Sequence, residues 1–212
     1  MLKNKLNLLL LAVTLSTSVQ ANNVFFQDNF ERQLDNSWQI MNENKTQWNI
    51  KNGQLNALVQ GAGLWANMEP SVNNLFVHTA PEDFTTEVDI NLEPENAYEQ
   101  ASFGLYQDPD NYIKLCKEMF ENKLSLVFVS EKSGKPTVIK RIDYTDPSVR
   151  FRLQKKKDQI SAYYKDRTNQ WVKIGDTKNH LKKEARITLL TLFGDAKKPK
   201  WAQFDNFMIT KE

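Results

Sequence analysis

The sequence predicts an all-β, antiparallel sandwich, and three observations carry the prediction. Apolar and polar residues alternate with period two through 82–118: Val88, Ile90 and Leu92 against Glu87, Asp89 and Asn91; Ala101, Phe103 and Leu105 against Gln100, Ser102, Gly104 and Tyr106; Ile113 and Leu115 against Tyr112, Lys114, Cys116 and Glu118. Such runs recur at intervals of roughly 8 to 12 residues with polar turns between them. No window sustains an amphipathic helix beyond two turns. Successive side chains of a strand point to opposite faces, so one face of these three runs belongs to a core and the other carries a dense polar set.

The elements follow in order. Lys3 and Lys5 precede the apolar run 8–15, and Val19-Gln20-Ala21 supplies small residues for cleavage, so residues 1–21 read as a secretory signal peptide. The run is too short to span a bilayer. A mature domain over 22–212 is expected, secreted or periplasmic, with no membrane span. Residues 24–30, with Phe25, Phe26 and Phe30, begin it as an edge-closing strand. In WNIKNGQLNALV two runs meet at Asn52-Gly53, residues that tolerate φ > 0 and so form a hairpin turn. Residues 61–69 and 74–79 read as further strands, broken by Pro70 and Pro81. Beyond the alternating region, 123–129 and 137–143 flank the turn 131–135. Runs 150–153 and 160–164 alternate again, and Trp171–Ile174 follows a turn. The apolar, β-branched run 185–193 reads as a buried strand, although periodicity alone leaves a short buried helix open. The alternating run 201–210 ends the chain.

Composition bounds the function. Removing Lys3 and Lys5 brings the formal charge of +2 to zero, so no global field draws the mature chain to nucleic acid or anionic membrane. Lysines cluster at 155–157, 182–183 and 197–200, where they flank strand runs and read as solvated turns. Cys116 is the only cysteine; no intrachain disulfide is possible, and stability must come from burial. His78 and His180 show no ligand spacing.

The segments DNFERQLDNSW, WNIKNGQL, LWANMEPSVNNLF, EDFTTEVDI, YEQASFGLYQDPDNYIKL and FDNFMI resemble the concanavalin A-like lectin/glucanase superfamily, in the branch that includes β-xylosidase C-terminal domains. The resemblance covers nearly the whole mature chain, with YEQASFGLYQDPDNYIKL its most specific piece. It implies a jelly roll of two curved antiparallel sheets whose concave face meets an oligo- or polysaccharide. It also implies, in the glucanases, alternating acids on one strand. Glu87-Val88-Asp89-Ile90 begins that pattern, but Asn91 stands where the second Glu belongs, and Leu92 at the bulged position. Glu93 is roughly 20 Å along the strand from Glu87, beyond the about 5 to 9.5 Å that a glycosidase carboxyl pair spans. A cross-strand acid such as Glu118 is the remaining partner for a catalytic Glu87.

The expected activity is therefore carbohydrate binding without cleavage. The ligand-binding set is Trp65, Asn67, Glu87, Gln100, Ser102, Tyr112, Lys114 and Glu118, an aromatic platform with fixed hydrogen-bonding groups. Two bland readings stay open beside it: Trp65 lying on the sheet under a loop, and a self-satisfied polar network among Glu87, Gln100, Lys114 and Glu118. The alternatives are a hydrolase using Glu87 and Glu118, and a structural or adhesive module. A structural calcium is a further expectation of the resemblance, on Asp28 and Asp205, each in an Asp-Asn-Phe triplet. Trp38, Trp48, Trp171 and Trp201 are assigned to the core.

Overall fold

Period-two alternation becomes strand almost wherever the sequence shows it. The computed structural model describes residues 23–65 and 72–212. Within these the strands are β1 (Val24–Asp28), β2 (Gln39–Met41), β3 (Trp48–Lys51), β4 (Gln54–Leu58), β5 (Leu75–His78), β6 (Phe84–Asn91), β7 (Gln100–Asp108), β8 (Asn111–Phe120), β9 (Lys123–Lys132), β10 (Lys135–Asp143), β11 (Ser148–Lys156), β12 (Gln159–Lys165), β13 (Trp171–Lys178), β14 (Arg186–Leu192) and β15 (Trp201–Lys211). Asn52 (φ 57°) and Gly53 (φ 69°) make the β3–β4 turn, the two positive values that a hairpin matched to strand twist requires.

The strands form two antiparallel sheets. One has the order β13-β12-β11-β6-β15-β4-β3, with β1 also paired to β15; the other has the order β10-β9-β8-β7-β14-β5-β2. Their facing sides share a core: Val88, Ile90, Phe151, Leu153, Phe204 and Ile209 from the first sheet, and Ala101, Phe103, Leu105, Leu115, Phe128 and Leu189 from the second. Each of these side chains larger than alanine contributes roughly 1.5–3 kcal/mol through burial. Among the described residues no helix interrupts this arrangement.

A second apolar cluster sits on the outward face of the seven-stranded sheet. There Ala62 and Leu64 lie over Cys116, Val127, Leu190 and Leu192, with Val72, Leu75, Val77, Tyr106 and Tyr112. Strand β14 is thereby buried on both faces, which is why 185–193 reads as one continuous apolar run.

Four expectations are corrected. The three alternating runs of 82–118 do not share a face, because β6 belongs to one sheet and β7 and β8 to the other. Residues 61–65 form no strand; they cross the outward face as a loop, and the rest of the expected strand, with Asn67, lies outside the described residues. Strand β2, too short to show a period, was not expected. Trp201 is 38% exposed, and Trp171 lies under the Arg152 guanidinium at 3.8 Å from ring centroid to carbon rather than in the core.

Candidate functional site

Strands β7 and β8 pair with Gln100 opposite Glu118, Ser102 opposite Cys116 and Gly104 opposite Lys114. Core residues occupy the odd positions of this pair, so the even positions point to the sheet's outward face. Gln100, Lys114 and Glu118 are 2%, 4% and 4% exposed and form the floor of a cavity of about 450 Å³. Its walls are Trp65, Tyr98, Phe120, Phe193, Val129 and Val138, with Glu121 at the rim.

Bonding within the floor fixes its orientation. Lys114 Nζ and Ser102 Oγ both donate to Gln100 Oε1, the latter at 2.9 Å, and Gln100 Nε2 donates to the Tyr98 carbonyl at 3.0 Å. Cys116 Sγ donates to Glu118 Oε2 at 3.0 Å. Burial pushes the Glu118 carboxyl above its usual range, opposed by the Lys114 charge and the Cys116 bond; burial likewise pushes the Cys116 thiol well up. The amide is thus held rigid, while the ammonium keeps protons, and the carboxylate its Oε1, for a ligand.

The walls depend on backbone that a sequence pattern does not show. Tyr98 (φ 64°), Glu121 (φ 47°) and Phe193 (φ 59°) all sit at positive φ, costly for residues with a side chain and over-represented at functional sites. Tyr98 meets Phe120 and Phe193 edge-on at 6.0 and 6.3 Å. Trp65 stands at 37% exposure while its neighbour Leu64 is buried. The loop that carries it is closed at its base by Gln60: Nε2 donates to the Asn73 carbonyl at 2.6 Å, and Asn73 N donates to Oε1 at 2.7 Å. It is tied to the end of β14 by Phe193 N to Ala62 O at 3.0 Å and Gly194 N to Gln60 O at 2.8 Å. A Cβ at Gly194 would lie 2.0 Å from the Val59 carbonyl oxygen. Gly194→Ala is therefore expected to cost about 1–3 kcal/mol and to loosen this loop, read as lower stability in urea and a changed Trp65 fluorescence maximum; a variant identical to wild type in both would show that the contact yields.

Of the expected ligand set, Trp65, Gln100, Lys114 and Glu118 are brought together. Ser102 and Tyr112 share their face but lie buried beside the cavity, Ser102 bonded to Gln100 and Tyr112 OH donating to Glu131 Oε2 at 2.6 Å. Glu87 is elsewhere: it projects from the outward face of the other sheet, pinned by Arg150 and Arg152 at 2.9 and 2.5 Å. Glu87 and Glu118 are therefore separated by two sheets that pack about 10 Å apart, with side chains pointing in opposite directions, and cannot share a glycosidic bond. Tyr98, Phe120 and Phe193 were missed. Phe120, the last residue of β8, carries the same even parity as Glu118, which is the signal that would have found it; Tyr98 lies in the turn before β7, where parity gives no signal.

The structure does not bring Asp28 and Asp205 together. Asp28 faces inward and accepts N–H bonds from Phe30 (2.8 Å), Asp35 (3.3 Å) and the Trp38 indole (2.9 Å). Asp205 faces outward beside Asp89, in an open cavity of about 710 Å³ that includes Gln54, Arg150 and Gln203. Among the described residues no three His, Cys, Asp or Glu side chains converge.

Residues 27–209 match the family model of the β-xylosidase C-terminal concanavalin A-like domain. None of the curated proteins matches the sequence. Among solved structures, the GH43 protein BlXynB from Bacillus licheniformis superposes with a TM-score of 0.77 at 20% identity, over 88% of this chain and 39% of that one. This chain thus spans about two fifths of that protein's length. A functionally unknown protein from Saccharomyces cerevisiae gives 0.69 at 13% identity, over 83% and 97% of the two chains. Carbohydrate binding module CBM66 from Bacillus subtilis gives 0.54 at 16% identity, over 85% and 100%. At these identities the likenesses establish the fold.

Proposed function

Since the chain belongs to the family of β-xylosidase C-terminal concanavalin A-like domains, we propose that it is an exported, non-catalytic module that binds an oligo- or polysaccharide in the cavity over β7 and β8. The observation that carries this reading is the cavity itself: an aromatic wall of Trp65, Tyr98 and Phe193 above a rigid floor of Gln100, Lys114 and Glu118. A sugar ring presents C–H groups on its faces and hydroxyls on its edge. Aromatic walls take the first, and a donor beside an acceptor takes the second. The likeness to carbohydrate binding module CBM66 is consistent with it. The separation of Glu87 from Glu118 supports binding without hydrolysis, and the leader-like residues 1–21 support export.

The test is a polysaccharide array and calorimetry on the chain from Asn22, with Trp65→Ala and Gln100→Ala beside it. Each substitution is expected to weaken binding at least tenfold with an unchanged circular dichroism spectrum: the first by removing a wall, with a urea midpoint close to wild type, and the second by freeing Lys114 and Ser102 from their shared acceptor, which also lowers stability by about 1–3 kcal/mol. Unchanged affinity in both variants would remove the site assignment. Reducing ends released by purified protein and lost in Glu118→Gln would make it an enzyme.

A further inference from the structure

The charges around the cavity select among saccharides. Resting on the binding site just proposed, we infer that the site takes neutral saccharides and rejects uronate-bearing ones. Among the described lining residues, Glu118 and Glu121 are acidic and Lys114 alone is basic. Lys114 gives one of its protons to Gln100 Oε1, and its charge is balanced within the floor by Glu118, on which it acts directly, so the protons it keeps are offered beside a carboxyl group. Arg141, a neighbour of the lining residues Glu121 and Phe120 that does not itself line the cavity, forms ion pairs with Asp143 and with Glu121, the latter at 3.8 Å, and lies 5.9 Å from the Phe120 ring. A sugar carboxylate entering this cavity would give up its hydration to meet a second carboxyl group, and among the described lining residues the one cation is already balanced by it.

The placement of the other basic residues sharpens the point. Lys155, Lys157, Lys182 and Lys183 line a separate cavity of about 520 Å³ with Glu82, Phe84 and Leu105. None of them lines the aromatic cavity. Weak attraction of acidic polymers to the molecule as a whole is therefore separable from occupancy of the aromatic site, because only the latter depends on Trp65.

The experiment measures Trp65-dependent binding, the part lost in Trp65→Ala, for two sets of chains of matched length: neutral arabinoxylan, galactan, glucomannan and levan, and acidic polygalacturonate, alginate and hyaluronan. The expected result is Trp65-dependent binding to at least one neutral chain, at least tenfold tighter than to any acidic one at pH 7.5, with Glu118→Gln reducing that ratio. Trp65-dependent binding of an acidic chain at equal or higher affinity would overturn the selectivity and leave the saccharide site standing. An unchanged ratio in both Glu118→Gln and Glu121→Gln would also overturn it. Silence of both sets would overturn the saccharide reading itself and this inference with it.

Discussion

Replacing Glu87 with alanine is expected to lower stability by about 2–3 kcal/mol and leave saccharide affinity unchanged. Its carboxylate takes Nε and Nη2 of Arg152 on one oxygen, at 2.8 and 2.5 Å, and Nε and Nη2 of Arg150 on the other, at 3.0 and 2.9 Å. Each arginine faces it with two parallel N–H groups, and such charge-assisted pairs are the strong ones. Removing the carboxylate leaves two guanidinium groups against one sheet face. Arg150 retains Asp89, at 3.1 and 3.2 Å, and Arg152 retains the ring of Trp171. Truncating one partner of a fully buried pair costs about 3–5 kcal/mol. The arginine side chains are partly exposed, so water recovers some of this and the lower figure is expected. The check is urea unfolding with an unchanged slope and a lower midpoint, beside calorimetry on the bound saccharide. A loss below about 0.5 kcal/mol would reduce the network to an ordinary surface pair. A loss of affinity would return Glu87 to the binding site.

Glu87 also shows how far a sequence carries the argument. Alternation correctly places it opposite Val88 and Ile90, on an outward face, but alternation is blind to which sheet a strand joins. The segment 92–99 carries the chain from one sheet to the other, and a period of two reads the same on both. The polar set of 82–118 was therefore legible as polar and outward while its division between two surfaces was not. Trp65 is a different case: Leu64 beneath it marks the exposed parity, yet the segment is held by Gln60, Asn73 and Gly194 rather than by a ladder. Hydrogen bonds between residues far apart in sequence leave no local pattern. The positive-φ aromatics are hidden for a related reason, since no propensity predicts Tyr98 or Phe193 in a left-handed conformation; their surroundings impose it.

Lys117 is the residue whose alternation points to something the pattern alone would reject. It shares the inward parity of Ile113 and Leu115, and the structure keeps it there at 0% exposure. Its Nζ donates to the Leu92 carbonyl and, at 2.9 Å, to the Pro147 carbonyl, tying the start of the 92–99 crossover to the loop before β11. Burial brings the ammonium down to about 8, against the raising influence of Glu93 and Asp146. A neutral amine still has two protons to donate, so both bonds survive deprotonation.

The sign follows from linkage. Below pH 8 the amine carries a proton in both states, and folding bears the cost of burying the charge. Between about pH 8 and the ordinary lysine value of 10.5 the unfolded chain binds more protons than the folded one, so stability rises with pH. From pH 7 to 9.5 the gain is about 2 kcal/mol at 1.36 kcal/mol per pKa unit. Other groups titrate in the same window, so the quantity to measure is the difference between wild type and Lys117→Met, which fills similar space without a charge. Urea unfolding at half-unit steps is expected to show the difference shifting toward wild type as pH rises. A difference that stays flat across the window would mean that Lys117 reaches water in the folded protein and that the two carbonyls are held together by the backbone alone.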